Sequence, residues 1–224
     1  MEHLKTEVLN GGVVEVIDVL GSDLTVVNAA RVSFGKRKTE LDEADKKLIR
    51  YLAKHNHWTP FGQPQIQFRL KMDIATARQF MRHNIGIVYN EKSGRYCEMG
   101  DAEMYLPLEF RQQAVSNRQA STDEIVEDTH GRLTDAVSAH YENSLALYKR
   151  LRHEGVCKEQ ARLVLPVATF TEIYCTMSLA ALARIINLRD KPDAQYEIRQ
   201  YAQAMRELAM NYFPISLEAL TNDK

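Results

Sequence analysis

The sequence has 224 residues, 45% hydrophobic and 26% charged, which is enough chain to bury a core without disulfides or a structural metal. Lys+Arg 29 against Asp+Glu 30 leave a formal net charge of −1, which excludes a global field for sequence-independent nucleic-acid binding, so any anion site must be local. No apolar run approaches the roughly 20 residues of a membrane span, and Glu2, His3 and Lys5 stand where a signal peptide would build its apolar core. The expectation is a cytoplasmic chain with no membrane and no nucleic-acid partner. Cys97, Cys157 and Cys175 are odd in number and widely spaced, so neither a disulfide framework nor a zinc ribbon is expected.

In chain order, the β-branched run from Val13 to Leu20, between Gly11-Gly12 and Gly21, predicts a strand. Ser22 and Asp23 cap a short helix over Asp23 to Arg31, and a basic loop follows at Gly35-Lys36-Arg37-Lys38. A second helix places Leu41, Ala44, Leu48, Ile49 and Leu52 on one face, has Asp42, Glu43 and Asp45 at its positive end, and stops near His55-Asn56. Ile66, Phe68, Leu70 and Met72 alternate with Gln67, Arg69 and Lys71, the clearest half-buried strand in the chain. It leads into a helical pattern over Ala75 to His83. A long helix is expected from Ser121-Thr122 to Gly155, with Ile125, Val126, Leu133, Val137, Tyr141, Leu145, Tyr148 and Leu151 as its apolar stripe. Pro166 then breaks the pattern, Val167 to Met177 reads as a strand, and Leu179 to Leu188 as a buried helix. The last long helix runs from Ala194 to Tyr212 and stops before Pro214. Short connections and no repeat predict a single α+β domain over residues 1–224: a largely antiparallel sheet packed with several helices, two of them long.

The densest polar stretch runs from Arg82-His83-Asn84 to Ser93-Gly94-Arg95-Tyr96, with Arg78 and Gln79 in the turn before it. Guanidinium forks bind phosphate through paired hydrogen bonds, and the backbone N–H groups near Ser93-Gly94 could complete the cradle. The stretch therefore reads as a site for a phosphorylated small molecule or as a solvated basic loop. Arg162 and Arg189 lie in apolar company, and a buried arginine needs an anion; for Arg162 an internal pair with Glu159 competes with a ligand role. His55 and His57 form an H-x-H with no further ligand at metal spacing, so no metal site is assigned. Neither a G-x-G-x-x-G nor a Walker sequence is present, and no cysteine sits in a nucleophile motif.

Arg82-His83 followed by Asn90-Glu91-Lys92-Ser93-Gly94-Arg95 resembles the R-H-R-x-x-S-x-N-E-x-S-x-R signature of the flavin-dependent thymidylate synthases. The resemblance extends over nearly the whole chain, through Ala29-Ala30-Arg31-Val32-Ser33, His57-Trp58-Thr59-Pro60-Phe61, Ala77-Arg78-Gln79, Glu159 to Pro166, Asn187-Leu188-Arg189 and Ala194 to Arg199. It implies reductive methylation of dUMP to dTMP at C5, without a protein nucleophile. Methylenetetrahydrofolate would supply the carbon, NADPH the electrons and FAD the hydride relay. It also implies a homotetramer with active sites shared between subunits. The positions it assigns to the nucleotide are Gln79, Arg82, Glu91, Ser93, Gly94, Arg95, Arg162 and Arg189, with Arg189 in the catalytic role of favouring ionisation of the uracil at N3. Those it assigns to FAD are His57, Thr59, Arg82, His83, Asn84 and Glu91.

This sequence departs from the family at several of these points. Asn84 stands for the third basic residue, Ile87 for the usual Ser, and one extra residue precedes Asn90. Gly62-Gln63 replaces Glu-His, Ser178-Leu179-Ala180 replaces Asn-x-Arg, and Arg184 stands where Asn is usual. Ser178 and Arg184 join the expected FAD set, with Arg184 supplying, one helical turn on, the flavin-phosphate cation that the family would place at Ala180. The alternatives are methylation or hydroxymethylation of another pyrimidine nucleotide, or a noncatalytic nucleotide-binding relative.

Overall fold

The alternation of Ile66, Phe68, Leu70 and Met72 with polar neighbours folds as the sequence predicts. In the computed structural model, which describes residues 4–115 and 121–221, these four side chains are fully buried and the intervening ones half-buried. Glu2 and His3, part of the N-terminal reading, lie outside the described residues. The strands are β1 (Lys5–Val8), β2 (Gly12–Leu20), β3 (Gln65–Asp73), β4 (Ile87–Glu91), β5 (Arg111–Gln113), β6 (Ser121–Ile125) and β7 (Phe170–Ser178). Five of them form one antiparallel sheet in the order β1-β2-β3-β7-β4, in which Phe68 pairs with Val16 on one side and Cys175 on the other. On the polar face Arg69 bridges Glu15 at 2.9 Å and Glu172 at 2.7 Å, so the half-buried charges are paired across three strands.

The helices are α1 (Asp23–Arg31), α2 (Glu43–Lys54), α3 (Ile74–Phe80), α4 (Arg132–His153), α5 (Lys158–Ala161), α6 (Leu179–Arg189), α7 (Tyr196–Met210) and α8 (Pro214–Thr221). Val26 and Val27 of α1, Ile49 and Leu52 of α2, Phe80 of α3, most of α6, and Ile198, Tyr201 and Met205 of α7 join the apolar sheet face in one core. Each such buried side chain contributes roughly 1.5 to 3 kcal/mol. The antiparallel sheet and the two long helices, α4 and α7, match the α+β expectation. No helix among the described residues is long and apolar enough to cross a membrane.

The structure corrects the sequence reading in four places. The helix expected from Ser121 starts only at Arg132: Ser121–Ile125 pairs with β5, and the Asp128 carboxylate accepts from Leu133 N at 2.7 Å and Thr134 N at 3.1 Å, fixing the true helix start. His130 and Gly131, with φ of 62° and 71°, make the turn that a continuous helix could not contain. The stretch after α3 contains β4, which adds to the sheet beside β7. Pro214 begins α8, whose Ile215 and Ser216 N–H groups donate to the buried Asp23 carboxylate at 3.0 and 2.9 Å. Arg162 is exposed, and Glu159 pairs at 3.5 Å with Arg95 instead.

Candidate functional site

β3 runs directly into α3, whose N-terminus is capped by Asp73 accepting from Thr76 N at 2.9 Å. The seven-residue helix presents Arg78 and Gln79 in its last turn, and the chain then turns through Arg82, His83 and Asn84 to Gly86. Gly86 has φ of +74°, and a Cβ there would lie 3.2 Å from Ser178 Oγ, so only glycine lets β4 start against the β7–α6 junction. Tyr89 of β4 donates from its hydroxyl to the His83 carbonyl, holding the turn closed over the sheet.

Arg78, Gln79, Arg82 and Arg189 meet Glu91 around an open cleft at this turn. Glu91 also lines a second cavity, of about 300 Å³, with Ser93, Gly94, Arg162 and Thr171, and so joins the two. Its Oε1 accepts from Thr171 Oγ1 at 2.8 Å, which fixes the carboxylate between them. A Cβ on Gly94 would sit 3.2 Å from Arg162 Cδ, so glycine is what lets Arg162 approach the loop. Ser93 Oγ accepts from Arg95 N at 3.2 Å, and Arg95 itself leans out toward Glu159.

Arg189, at the last turn of α6, is half-buried and donates from Nε to His83 Nε2 at 3.0 Å. Burial first, and then the charge of Arg82, pull its guanidinium below the usual arginine range. Burial and the charges of Arg189 and Arg184 likewise lower His83, so the ring is held neutral and acts as an acceptor. Among the described residues, no carboxylate pairs with Arg78, Arg82, Arg162, Arg184 or Arg189. Gln79 Oε1 is buried in the same region without a hydrogen-bond partner. Arginines without carboxylate partners, gathered around one cleft beside a buried orphan acceptor, describe a site for an anionic ligand that also offers a donor.

The expected flavin residues fall on the adjoining side. His57 and Arg184 line a cavity of about 290 Å³ with Trp58, Phe61, Ala180 and Ala183, so positions 180 and 184 do face the same space. Arg184 is exposed, and its guanidinium donates to the neutral Ile85 carbonyl. Thr59 lies exposed beside a neighbouring groove that includes Tyr51 and Trp58. Ser178 Oγ is taken up locally, accepting from Ala181 N at 3.2 Å as the N-cap of α6. Asn84 is exposed on the turn. Exposed aromatic rings beside an unneutralised arginine suit a planar cofactor that carries phosphates.

Sequence reading did not single out Thr171, whose hydroxyl orients Glu91; the signal for it lies in strand register, not in local sequence. Among the described residues no group of three His, Cys, Asp or Glu is placed to hold a metal ion. No cysteine lines either nucleotide-side cavity, and burial pushes the Cys175 thiol up to about 12.

Known proteins resemble this chain over almost its whole length. The family described as "Thymidylate synthase complementing protein" matches residues 15–215. A flavin-dependent thymidylate synthase of Kosmotoga olearia is 38% identical over 219 residues, covering 98% of this chain and 94% of the relative. One from Thermus thermophilus is 38% identical over 216 residues, covering 96% and 78%. Among solved structures, the UMP/dUMP methylase PolB from Streptomyces cacaoi bound with 5-Br dUMP has a TM-score of 0.84 and 32% identity, covering 96% of this chain and 97% of that one. The same methylase bound with 5-Br UMP gives a TM-score of 0.83.

Proposed function

The chain belongs to the flavin-dependent thymidylate synthase family and is a methylating enzyme, and from that premise we propose that it converts dUMP to dTMP with methylenetetrahydrofolate as carbon donor, NADPH as reductant and FAD as cofactor. The observation that carries this reading is the set of arginines without carboxylate partners around the Glu91 cleft. Arg162 and the Ser93-Gly94 backbone hold the phosphate, joined by Arg95 once it leaves Glu159, and Gln79, Arg82 and Glu91 fix the sugar and base. Arg189 lies along the N3 edge of the ring. A cation there stabilises the anionic uracil and raises electron density at C5, so a poor carbon nucleophile gains reactivity without covalent activation by a cysteine.

FAD fits the adjoining residues: His57, Thr59, His83, Asn84, Ser178 and Arg184 would hold it, with Arg82 and Glu91 shared between cofactor and nucleotide. When bound, it supplies the redox step, which no side chain here can perform. The domain is taken as residues 1–224, the assembly as a homotetramer whose subunits share active sites, and the compartment as the cytoplasm. A second reading, methylation of UMP as well, draws support from the PolB likeness, because that protein is a UMP/dUMP methylase. The changed residues Asn84 and Ile87 lie on the segment that joins Arg82 to Glu91, both of which line the cleft, so a shift of that segment would alter sugar tolerance.

Release of tritium from C5 of the nucleotide, with and without FAD, followed by mass spectrometry of the product, tests both readings. The expected result is flavin-dependent release with dTMP as product. A hydroxymethylated product, or no release, would refute it, and methylated UMP would establish the broader specificity.

A further inference from the structure

Arg189 is followed at once by an acidic residue, Asp190, yet the two do not pair. The Asp190 carboxylate is drawn across to α7, where Gln203 Nε2 donates to Oδ1 at 2.9 Å and Arg206 Nη1 lies 3.4 Å from Oδ2. The Asp190 side chain is only 15% exposed, and its backbone N–H closes α6 on Ile186 O at 2.8 Å, so it is fixed on the α7 side. On its other side Arg189 meets His83, which accepts a hydrogen bond from Nε without neutralising the charge. Two adjacent residues of opposite charge are thus given separate partners, and only the cation is left facing the cleft.

We propose that Gln203 and Arg206 are positioning residues that hold Asp190 away from Arg189 and so keep the Arg189 charge available to the substrate ring. The proposal rests on the reading of Arg189 given above. An ion pair with Asp190 would supply in the resting state the negative partner that Arg189 is meant to find only as the uracil becomes anionic. The differential stabilisation that speeds the chemical step would then be lost. Neither α7 residue lines the cleft, so both act through Asp190.

The test is the double variant Gln203→Leu/Arg206→Met, alone and with Asp190→Asn added, measured by tritium release at saturating flavin. The release variant is expected to lose about tenfold or more in kcat, with a smaller change in KM for dUMP. Adding Asp190→Asn is expected to restore most of kcat while the lowered melting temperature stays low, since an amide cannot re-form the ion pair. A merely structural role predicts the opposite: kcat and stability would fall together, and the asparagine would rescue neither. Parental kcat in the release variant, or failure of the rescue, would overturn the proposal. Arg189→Ala separates the two levels. If it is slow and the release variant is not, only the restraint by α7 is wrong; if Arg189→Ala is itself fast, the role of Arg189 falls too.

Discussion

Replacing Arg184 by Ala tests whether a cation displaced by one helical turn does the work expected of position 180. Residues four apart on a helix have Cβ atoms about 5 to 6 Å apart on one face, and Ala180 and Arg184 do line the same cavity with His57 and Trp58. The guanidinium is exposed, meets no carboxylate and spends one donor on the neutral Ile85 carbonyl, so most of its hydrogen-bonding capacity is open to a phosphate. Losing one charge-assisted contact costs roughly 1.5 to 3 kcal/mol, which is a tenfold to somewhat over a hundredfold weaker Kd for FAD. The Ile85 contact contributes to folding and not to affinity, so its loss shows as a lowered melting temperature and is scored separately. Titration of FAD into the parent, Arg184→Ala and Arg184→Lys at two salt concentrations reads both charge and geometry. The alanine variant is expected to bind weakly and with less salt sensitivity; the lysine variant keeps the salt sensitivity but recovers only part of the affinity, because it lacks the fork. FAD affinity within error of the parent in Arg184→Ala, with the assembly unchanged, would refute the relocation.

Arg189→Ala is expected to lower kcat about ten- to a hundredfold while changing FAD affinity little, checked by steady-state tritium release alongside flavin titration. Simultaneous replacement of Cys97, Cys157 and Cys175 should leave turnover in place, at a stability cost of about 1 to 3 kcal/mol set by the buried Cys175, as read by urea denaturation; folded but inactive protein would reject a mechanism without a cysteine nucleophile. His83 sits below its ordinary 6.5 in the folded protein, chiefly through burial. The unfolded chain therefore binds this proton first, so the stability His83 contributes is present above pH 6.5 and is lost as pH falls through the folded value. Urea midpoints between pH 7 and 5 should fall less steeply in His83→Gln, and an unchanged slope would count against a buried neutral ring.

Elements whose evidence is local were legible from the residues alone. The period of two in β3, the β-branched run of β2 and the apolar spacing of α2 all carry their fold in a single window. The failures came where a distant group decides. α8 starts at a proline that looked like a stop, because the carboxylate satisfying its first N–H groups belongs to Asp23, on the far side of the sequence. β4 hid inside a polar stretch because its apolar run, Ile87-Val88-Tyr89, is only three residues long and passes at once into Asn90 and the site residue Glu91. The apolar stripe through Ile125 and Val126 carried the helical reading past Asp128, the residue that in fact caps the helix. Family resemblance supplied both the nucleotide and the flavin positions; what it could not supply is which of them share a space. The cavities group Gln79, Arg82 and Arg189 around Glu91, Ser93, Gly94 and Arg162 on its other side, and His57 with Arg184 apart from both.

A net charge near zero also concealed how the charges are sorted. Had carboxylates and cations paired at random, the cleft arginines would have been neutralised by the abundant acids around them. Instead the acids that neighbour site residues in sequence are engaged elsewhere: Asp190, next to Arg189, by Arg206 and Gln203; Glu159, three residues before Arg162, by Arg95; and Glu172, next to Thr171, by Arg69. Glu91 is the exception that enters the cleft, and there a neutral hydroxyl, Thr171, holds it in place of a cation. The positive field at Arg78, Arg82, Arg162 and Arg189 is therefore made by withholding partners, not by adding basic residues. Composition is blind to such an arrangement, because pairing one acid with a different arginine changes no count. It also makes the site sensitive to substitutions outside it, since freeing Asp190 would offer Arg189, and freeing Glu159 would offer Arg162 three residues on, a partner other than the substrate.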